Sequence, residues 1–372
     1  NLITLRGLGF GGTDEEVISR VAKQDPALLK NVYSASSMWA ANAATFSPSI
    51  DSYDQTIHIT PANLNTMFHR SIEHEFTKTQ LQLMFGSIAN IHDPVSNISG
   101  YGDEGAANHL RVTAQHLKPG FQIFVYGNSA FESNQGVIAR QAQEISQAVA
   151  AQHQLDPDLT LFLKQNNLAI ESGSFHNDIV SLVNEEVFIF HQEAFADRVA
   201  LERVLHHLKE HVKGFHPIEI LSADISLDDL VSSYLLNSQL ISLENNQMMM
   251  LLPEEVQNHS NCMRWLDEIQ SSSPIKLIEF VDIRQSMMNG GGPACLRFKT
   301  VMNDEEFSHV NKKFLLNPIK LMDLRSIVSK HYRDNLSPED LMDIKLMEES
   351  YTFLDELTQL LDLGSIYHFQ KT

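Results

Sequence analysis

One of the two cysteines in this chain follows an unusual run of glycines. Cys295 ends the stretch "NGGGPAC", in which three glycines and a proline precede the thiol. Glycine lets the backbone approach a ligand closely, and a thiolate is a nucleophile wherever local donors or a cation favour it. A free cysteine is more often a small buried apolar residue. The sequence leaves Cys295 open to both roles and assigns Cys262, within a helical pattern, to packing.

An acid and a base are available to such a thiol. His176 and Asp178 stand two residues apart in "SFHNDIV", and on a strand they would face the same way. A histidine beside a carboxylate can transfer protons and hold a cation, although an exposed loop explains the same residues. Glu104 in "GDEGAANH" could fix the tautomer of a histidine or bind a cationic substrate, and its neighbours equally suit a turn.

Three basic residues are candidate contacts for an anion. His69 and Arg70 lie in "MFHRSIEHEF", and Arg140 lies in "IARQAQE". The guanidinium fork of arginine matches a carboxylate, but Arg140 also fits a solvated helix face. His69 and His74 lack the spacing of two ligands on one helical face, so we expect no metal. We also expect no cofactor, because the glycines near the start neither follow a strand nor precede a phosphate-binding lysine.

The elements that would position these residues recur along the chain. Short apolar runs typical of strands begin near residues 55, 121, 185 and 247, at almost even spacing. A helical pattern follows each run, and a further strand closes most of the units. The alternation in "CLRFKTVM" predicts that a fifth unit begins at Cys295, before the C-terminal helices. Repeated strand–helix–strand units favour an arrangement around an axis or an open α/β sheet.

Each unit is preceded by a short segment of small and polar residues that contains an asparagine. Connections of this kind often carry active sites. If the units surround an axis, we expect the five segments to meet at one end of it. The asparagines are Asn42, Asn108, Asn177, Asn237 and Asn289.

Composition and charge exclude several classes of function. Twenty-seven basic and 47 acidic residues give a formal net charge of −20, which disfavours nucleic acid and anionic membranes as partners. No apolar run approaches the length of a membrane span. Two cysteines and no signal-peptide pattern indicate a reducing compartment, which we take to be the cytoplasm. Without a linker or low-complexity stretch, residues 1–372 are expected to form a single domain.

Several long segments together resemble the succinylarginine dihydrolases, which are guanidine-modifying penteins. The segments are "SMWAANAATFSPS", "GDEGAANH", "FHNDIVSLVN", "NSQLIS" and "NGGGPACLR", and the resemblance runs from "LRGLGFGGTDEEV" to "LLDLGSIYHFQ". It implies an α/β propeller of five ββαβ units around a pseudo-five-fold axis, and a homodimer. It also implies hydrolysis of N2-succinyl-L-arginine to N2-succinyl-L-ornithine, two ammonia and carbon dioxide, in arginine catabolism by the succinyltransferase pathway.

The resemblance assigns a role to each candidate residue. Cys295 matches the nucleophile, His176 the general acid and base, and Glu104 the acid that completes the site. Family members carry a further segment before the start of this chain, with a loop that covers the substrate, so we expect the first unit to be incomplete and full activity to depend on that loop. The positions that match substrate contacts are Asn42, His69, Arg70, Arg140, Asp178 and Asn289.

Three other functions fit parts of the same pattern. An arginine deiminase-like enzyme would stop after one ammonia. A truncated chain could bind a ligand without catalysis. A papain-like hydrolase fits less well, because its nucleophile begins a helix, whereas "CLRFKTV" alternates like a strand.

Overall fold

The computed structural model describes residues 1–131 and 139–371. Its strands are short and form three-stranded sheets. In chain order they are β1 (Ala44–Ser47), β2 (Ile57–Pro61), β3 (Ala89–Ile91), β4 (His109–Val112), β5 (Phe121–Tyr126), β6 (Thr160–Lys164), β7 (Ser181–Asn184), β8 (Val187–His191), β9 (His216–Ile220), β10 (Gln239–Ser242), β11 (Met248–Pro253) and β12 (Ile275–Val281).

The α-helices surround these sheets and also form both ends of the described chain. They are α1 (Leu2–Gly7), α2 (Asp14–Gln24), α3 (Pro26–Val32), α4 (Phe68–Ser71), α5 (His74–Phe85), α6 (Gln143–Gln152), α7 (Asn167–Glu171), α8 (Arg198–His211), α9 (Leu227–Ser233), α10 (Ser260–Ser272), α11 (Arg284–Met288), α12 (Asp304–His309), α13 (Pro318–His331) and α14 (Ile344–Leu360). Over the two described ranges, these helices are all too short or too polar to span a lipid bilayer.

Four copies of one ββαβ module account for all the sheets of the described chain. In each module the first two strands are antiparallel, and the third strand lies parallel to the second after a helical crossover. A parallel pair requires such a crossover. The predicted repetition of strand, helix and strand is therefore confirmed, and with it the α/β propeller class. The helical pattern expected after the second apolar run is present as α6, which begins at Gln143.

The middle strands of the first and third modules, β2 and β8, are buried at every residue. Burial on both faces explains the nearly continuous apolar sequence of β8, because such a strand has no polar side, whereas β2 also buries the polar side chains of His58 and Thr60. The largest core joins the second, third and fourth modules, and a separate core fills the first. The first strand of each module is only four residues long, so its pattern is too short to be predicted.

The predicted fifth module differs from the other four. The strand expected from Cys295 is wrong, because residues 297–303 have no strand pairing. The alternation of this stretch has another cause. Phe298 packs edge-on against Phe46, with ring centroids 6.3 Å apart, whereas Arg297 and Lys299 line a cavity. Alternate side chains therefore face the core and the cavity, and this produces a strand-like sequence pattern although the segment pairs with no strand of the described chain.

The segments that precede the modules meet in one place, as predicted. Asn42 ends a single turn of 3₁₀ helix in the first segment, and its Nδ2 donates to the Glu104 carbonyl in the second at 2.9 Å. Asn108, also in the second segment, accepts the backbone N–H of Asn177 from the third at 2.8 Å. Asparagine suits this position because one side chain can both donate and accept. These bonds link the first three segments.

The remaining bonds close the circle. Asn237 in the fourth segment donates to the Asp178 carbonyl at 3.4 Å and accepts the Gly292 N–H of the fifth at 2.8 Å. The Ala41 N–H of the first segment donates to the Cys295 carbonyl at 3.1 Å. The fifth segment therefore occupies its place in the circle although no sheet follows it in the described chain. We call these hydrogen-bonded segments the central ring.

A buried carboxylate joins the first module to the second. Asp51 follows β1, and its oxygens accept from Arg111 Nε at 2.5 Å and Arg111 Nη2 at 3.0 Å. The Gly120 N–H donates to the same carboxylate at 2.9 Å, and the Gln122 side chain also donates to it. Asp51 thus holds both strands of the neighbouring hairpin, β4 and β5.

Asp51→Asn should destabilise the fold substantially. The change leaves the Arg111 guanidinium without its buried counter-ion and turns one acceptor into a donor, a loss of about 3 kcal/mol or more. The urea unfolding midpoint measures it. Asp282→Asn is the matched control, since that carboxylate pairs with Arg284 on the exposed surface and should barely move the midpoint. Equal midpoints for the two variants would contradict this role of Asp51.

Candidate active site

The central ring borders a cavity of about 320 Å³. Seven of the nine predicted site residues line it, although they come from distant parts of the sequence. Glu104 is fully buried beside this cavity, and Asp178 lines a neighbouring one. The seven are Asn42, His69, Arg70, Arg140, His176, Asn289 and Cys295.

Glu104 connects the polar groups around the cavity. Its Oε2 accepts from Arg70 Nη2 at 2.6 Å and from His176 Nε2 at 2.8 Å. Its Oε1 accepts from the Thr66 hydroxyl at 3.1 Å. A buried carboxylate with three donors is held in one orientation, so Glu104 fixes the positions of the Arg70 and His176 side chains.

The ionisation of Glu104 follows from these contacts. Burial alone raises the pKa of Glu104, but the hydrogen bond from His176 and the charge of Arg70 outweigh it and bring the pKa down to about 2. Glu104 is therefore ionised at neutral pH and can only accept hydrogen bonds. The His176 proton that faces Glu104 must then reside on Nε2, which determines the tautomer of the neutral ring.

The backbone around Glu104 is a turn, which both interpretations of its sequence required. Asp103 Oδ1 accepts the Gly105 N–H at 3.2 Å, and Gly105 has a φ of +67°, a conformation that favours glycine. The Glu104 N–H donates to Gln141 Oε1 at 2.7 Å. Asp103 and Gly105 stabilise the turn, so the Glu104 side chain is not needed for it and can contact the site.

His176 and Asp178 face different cavities, so their predicted placement on one face of a strand is wrong. His176 precedes a single 3₁₀ turn, Asn177–Ile179, and this turn rotates the two side chains apart. His176 lines the larger cavity and Asp178 the neighbouring one. Among the described residues, neither carboxylate oxygen of Asp178 has a hydrogen-bond partner. Burial raises the pKa of Asp178 to about 6.

Cys295 lies in a turn at the cavity wall and is 6% exposed. Its Sγ donates to Asn237 Oδ1 at 3.3 Å. Burial and then the nearby charge of Asp178 raise the pKa of Cys295 to about 12. At neutral pH the resting group is a thiol, so a nucleophilic role requires a base or an added positive charge.

The glycines before Cys295 permit a close approach of two segments. A Cβ on Gly292 would lie 2.5 Å from Asn237 Oδ1 and 2.8 Å from the Asn237 carbonyl oxygen. A Cβ on Gly291 would overlap the Trp39 ring. Only glycine fits where the fifth segment crosses the central ring, and this crossing brings Cys295 to the cavity.

The basic residues on the wall retain unused donors. Arg70 Nη1 is buried and has no hydrogen-bond partner among the described residues, although Nη2 of the same side chain is bonded to Glu104. The Arg140 guanidinium lies 4.6 Å from the centre of the Phe175 ring, in a cation–π contact. Burial and the charges of both arginines lower the pKa of His69. Arg140 has no salt bridge to a described residue and Arg70 keeps one unused nitrogen, so both can contact an anionic part of a ligand.

Asn237 and Thr66 contact site residues, although the sequence predicted neither contact. Asn289 was expected in the central ring but does not bond to another segment of it. The Asn237 side chain holds Cys295, and the only signal for it was its membership of the asparagine segments. Thr66 had no sequence signal. Asn289 lines the cavity, but it is exposed and its Nδ2 donates to the Gln285 carbonyl at 2.8 Å; Gly292, not Asn289, joins its segment to the central ring.

A thiol, an imidazole and a carboxylate on separate modules are the groups that covalent hydrolysis uses. The comparisons show that the chain is a hydrolase acting on carbon–nitrogen bonds. Residues 1–370 match the family model for succinylarginine dihydrolase. The chain belongs to this family.

Individual relatives show how similar the sequences are. N-succinylarginine dihydrolase from Shewanella sediminis is 44% identical over 380 residues, which cover 100% of this chain and 85% of the relative. The enzyme of the same name from Idiomarina loihiensis is 43% identical with the same coverage. The chain therefore spans most of the length of these relatives.

Solved structures with partial similarity include a dimethylarginine dimethylaminohydrolase and an agmatine deiminase. The first, an adduct with S-methyl-L-thiocitrulline, is 13% identical with a TM-score of 0.39, over 71% of this chain and 76% of the other. The second, from C. jejuni, is 11% identical with a TM-score of 0.35, over 66% of this chain and 69% of the other.

Asp178→Asn should make Cys295 react faster with iodoacetamide. The charge of Asp178 raises the pKa of Cys295, so an isosteric neutral side chain should lower it, and each unit adds about tenfold to the thiolate fraction. The alkylation rate of the Cys295 peptide, followed from pH 7 to 9, measures the change. Asp282→Asn serves as the control. A rate equal to or below that of the unmodified chain would contradict this effect of Asp178.

Proposed function

We propose that this chain hydrolyses N2-succinyl-L-arginine to N2-succinyl-L-ornithine, two ammonia and carbon dioxide, with Cys295 as the covalent nucleophile. The observation that carries the proposal is the position of the buried Glu104 carboxylate, which holds His176 and Arg70 at the cavity that also contains Cys295. Membership of the succinylarginine dihydrolase family supports the choice of substrate.

The first ammonia leaves in a covalent step. The Cys295 thiolate attacks the guanidinium carbon and forms a carbon–sulfur bond in a tetrahedral adduct. His176 gives a proton to one terminal nitrogen, the carbon–nitrogen bond breaks, and ammonia departs. Water then attacks the covalent amidine, and His176 accepts its proton as the base. The carbon–sulfur bond breaks, which releases the thiol and leaves a ureido compound in the site.

A second round completes the reaction. The thiolate attacks the ureido carbon, a second ammonia leaves with a proton from His176, and a carbamoyl thioester remains. Water cleaves the thioester to the carbamate, which dissociates into succinylornithine and carbon dioxide. Two waters are consumed for two ammonia. The ionised Glu104 keeps the imidazole oriented through both rounds, because its pKa of about 2 lies far below neutral pH.

Binding of the substrate activates the thiol in this proposal. Asp178 carries no hydrogen bond from the described residues and lines the neighbouring cavity, so the charge of the substrate guanidinium would act on its carboxylate across the backbone between the two cavities. The cation cancels the charge that raises the pKa of Cys295, and the thiol becomes easier to ionise when its target is present. The nucleophile is thus protected in the resting enzyme, since a neutral thiol reacts slowly.

The other end of the substrate carries carboxylates. Arg140 and the Nη1 of Arg70 are the anion contacts in this proposal, because both residues line the cavity and the Arg70 bond to Glu104 uses only Nη2. The remaining contacts are neutral donors and acceptors on the wall, Asn42, His69 and Asn289.

The cellular setting is part of the same proposal. Residues 1–372 act as one catalytic domain in the cytoplasm, where two free cysteines remain reduced. A symmetric homodimer is the assembly we propose, because two-fold dimers are the commonest oligomers of soluble enzymes.

The ratio of products tests the reaction. With N2-succinyl-L-arginine, two ammonia should be released for each succinylornithine, and Cys295→Ala should lose at least about a thousandfold in rate, since no covalent route remains. An enzymatic ammonia assay and chromatography of the products give the ratio. A ratio of one with accumulating ureido product would show a deiminase, and undiminished turnover by Cys295→Ala would contradict the nucleophile.

Arg140→Gln should weaken binding of the succinylated substrate selectively. A hydrogen bond between charged groups contributes about 1.5–3 kcal/mol, so KM for N2-succinyl-L-arginine should rise at least about tenfold while kcat changes less. Arginine, which lacks the succinyl carboxylate, is the control substrate and should be affected less. Arg325→Gln, on the exposed face of α13, is the control variant. Equal loss with both substrates would contradict recognition of the succinyl group by Arg140.

A further inference from the structure

A second cavity of about 100 Å³ lies directly behind the wall of the larger one. Two stretches of the chain lie between the cavities. Asp178 and Ala294 line the second cavity, whereas the next residue in each case, Ile179 or Cys295, lines the first. This volume is enough for several water molecules, since one needs about 10–15 Å³. We call it the rear cavity.

Basic residues outnumber acidic ones in the lining of the rear cavity, in a chain whose formal net charge is −20. Asp178 is the one acidic residue among the residues that line it. Five basic residues line it as well, and they come from the second module and from the stretch after the nucleophile. They are His109, Arg111, His116, Arg297 and Lys299.

Some of these basic groups already have acidic partners behind the wall. Arg111 is paired with Asp51 at 2.5 Å. His116 Nε2 lies 3.9 Å from a Glu185 oxygen. Arg111 therefore has its own counter-ion. Burial lowers the pKa of His116 to about 4, so His116 is neutral at neutral pH and adds no positive charge to the rear cavity.

Arg297 and Lys299, in the stretch after the nucleophile, have no salt bridge to an acidic side chain of the described residues. Lys299 donates to the neutral side-chain oxygen of Asn184. The Arg297 guanidinium makes no hydrogen bond to any residue in the described ranges 1–131 and 139–371. A guanidinium has five N–H donors in a fixed plane, so the rear cavity presents a complete, unused fork beside an ammonium group.

Burial of these two cations is unfavourable as the structure stands. Burial and then the charge of Arg297 lower the pKa of Lys299 to about 7. Burial also lowers the pKa of Arg297, against the opposing charge of Asp178. A negative charge between the two side chains would remove the cause of both shifts.

We propose that the rear cavity is a binding site for a small inorganic oxyanion of the carbonate type. A planar oxyanion accepts two parallel hydrogen bonds from the Arg297 fork, and Lys299 supplies the second charge. The cavity volume excludes a ligand as large as the substrate. The site itself does not depend on the proposed function, although that reaction would produce carbon dioxide, which hydrates to bicarbonate, one wall away.

Isothermal titration with sodium bicarbonate at pH 7.5 tests the site without any turnover. The unmodified chain should bind one bicarbonate saturably, and sodium chloride at the same ionic strength should give no comparable signal. Arg297→Gln should weaken binding at least about tenfold, because the neutral amide cannot replace the charged fork. Arg325→Gln is the matched control and should bind like the unmodified chain.

Each other outcome overturns the proposal. Absence of saturable binding to the unmodified chain does so, as does an equal response to chloride, which would indicate a general salt effect. Unchanged binding by Arg297→Gln does so too. If circular dichroism shows that Arg297→Gln is unfolded, Lys299→Gln takes its place with the same expected loss. Ammonia release from N2-succinyl-L-arginine is measured separately, so failure of this site is distinguishable from failure of the proposed reaction.

Discussion

Closure of the central ring is the constraint on which the site depends. Each ββαβ module can bury its own apolar face, but the reactive groups lie on segments between modules and are remote in sequence. Hydrogen bonds from segment to segment fix these segments relative to one another, and the bond from Ala41 to the Cys295 carbonyl returns the last segment to the first. Leaving a buried polar backbone group without a hydrogen bond costs free energy. A shift of one segment would break its bonds to both neighbouring segments, so the five segments hold one another in place. The central ring therefore joins the four modules and the fifth segment, which no sheet follows in the described chain, into one continuous cavity wall.

The two carboxylates in that wall, Glu104 and Asp178, differ in their hydrogen bonds and charge. Glu104 is ionised and saturated, with donors from Arg70 and His176, and so it acts as a fixed anchor. Asp178 has no donor among the described residues, and burial raises its pKa to about 6, so it can gain a partner. The two carboxylates therefore serve a cationic substrate in different ways. Glu104 orients His176, and the charge of Asp178 is offset when the cation binds.

Long apolar runs made much of the fold predictable, because the middle strands such as Val187–His191 are buried on both faces. The four-residue first strands carry too little pattern to be predicted. The stretch after Cys295 misled the prediction, since Phe298 faces the core and Lys299 faces a cavity without any strand pairing. At the site, residue types identified the thiol and the imidazole. The pair between Arg70 and Glu104 could not be predicted, because its members are 34 residues apart and only the closed ring brings them together.

Mass spectrometry of a rapidly quenched reaction tests covalent catalysis by Cys295. During turnover of N2-succinyl-L-arginine, the peptide containing Cys295 should gain the mass of the substrate less one ammonia, and this adduct should disappear as product forms. Ammonia release with the transient adduct on another residue, or continued turnover after Cys295 has been replaced by alanine, would contradict it.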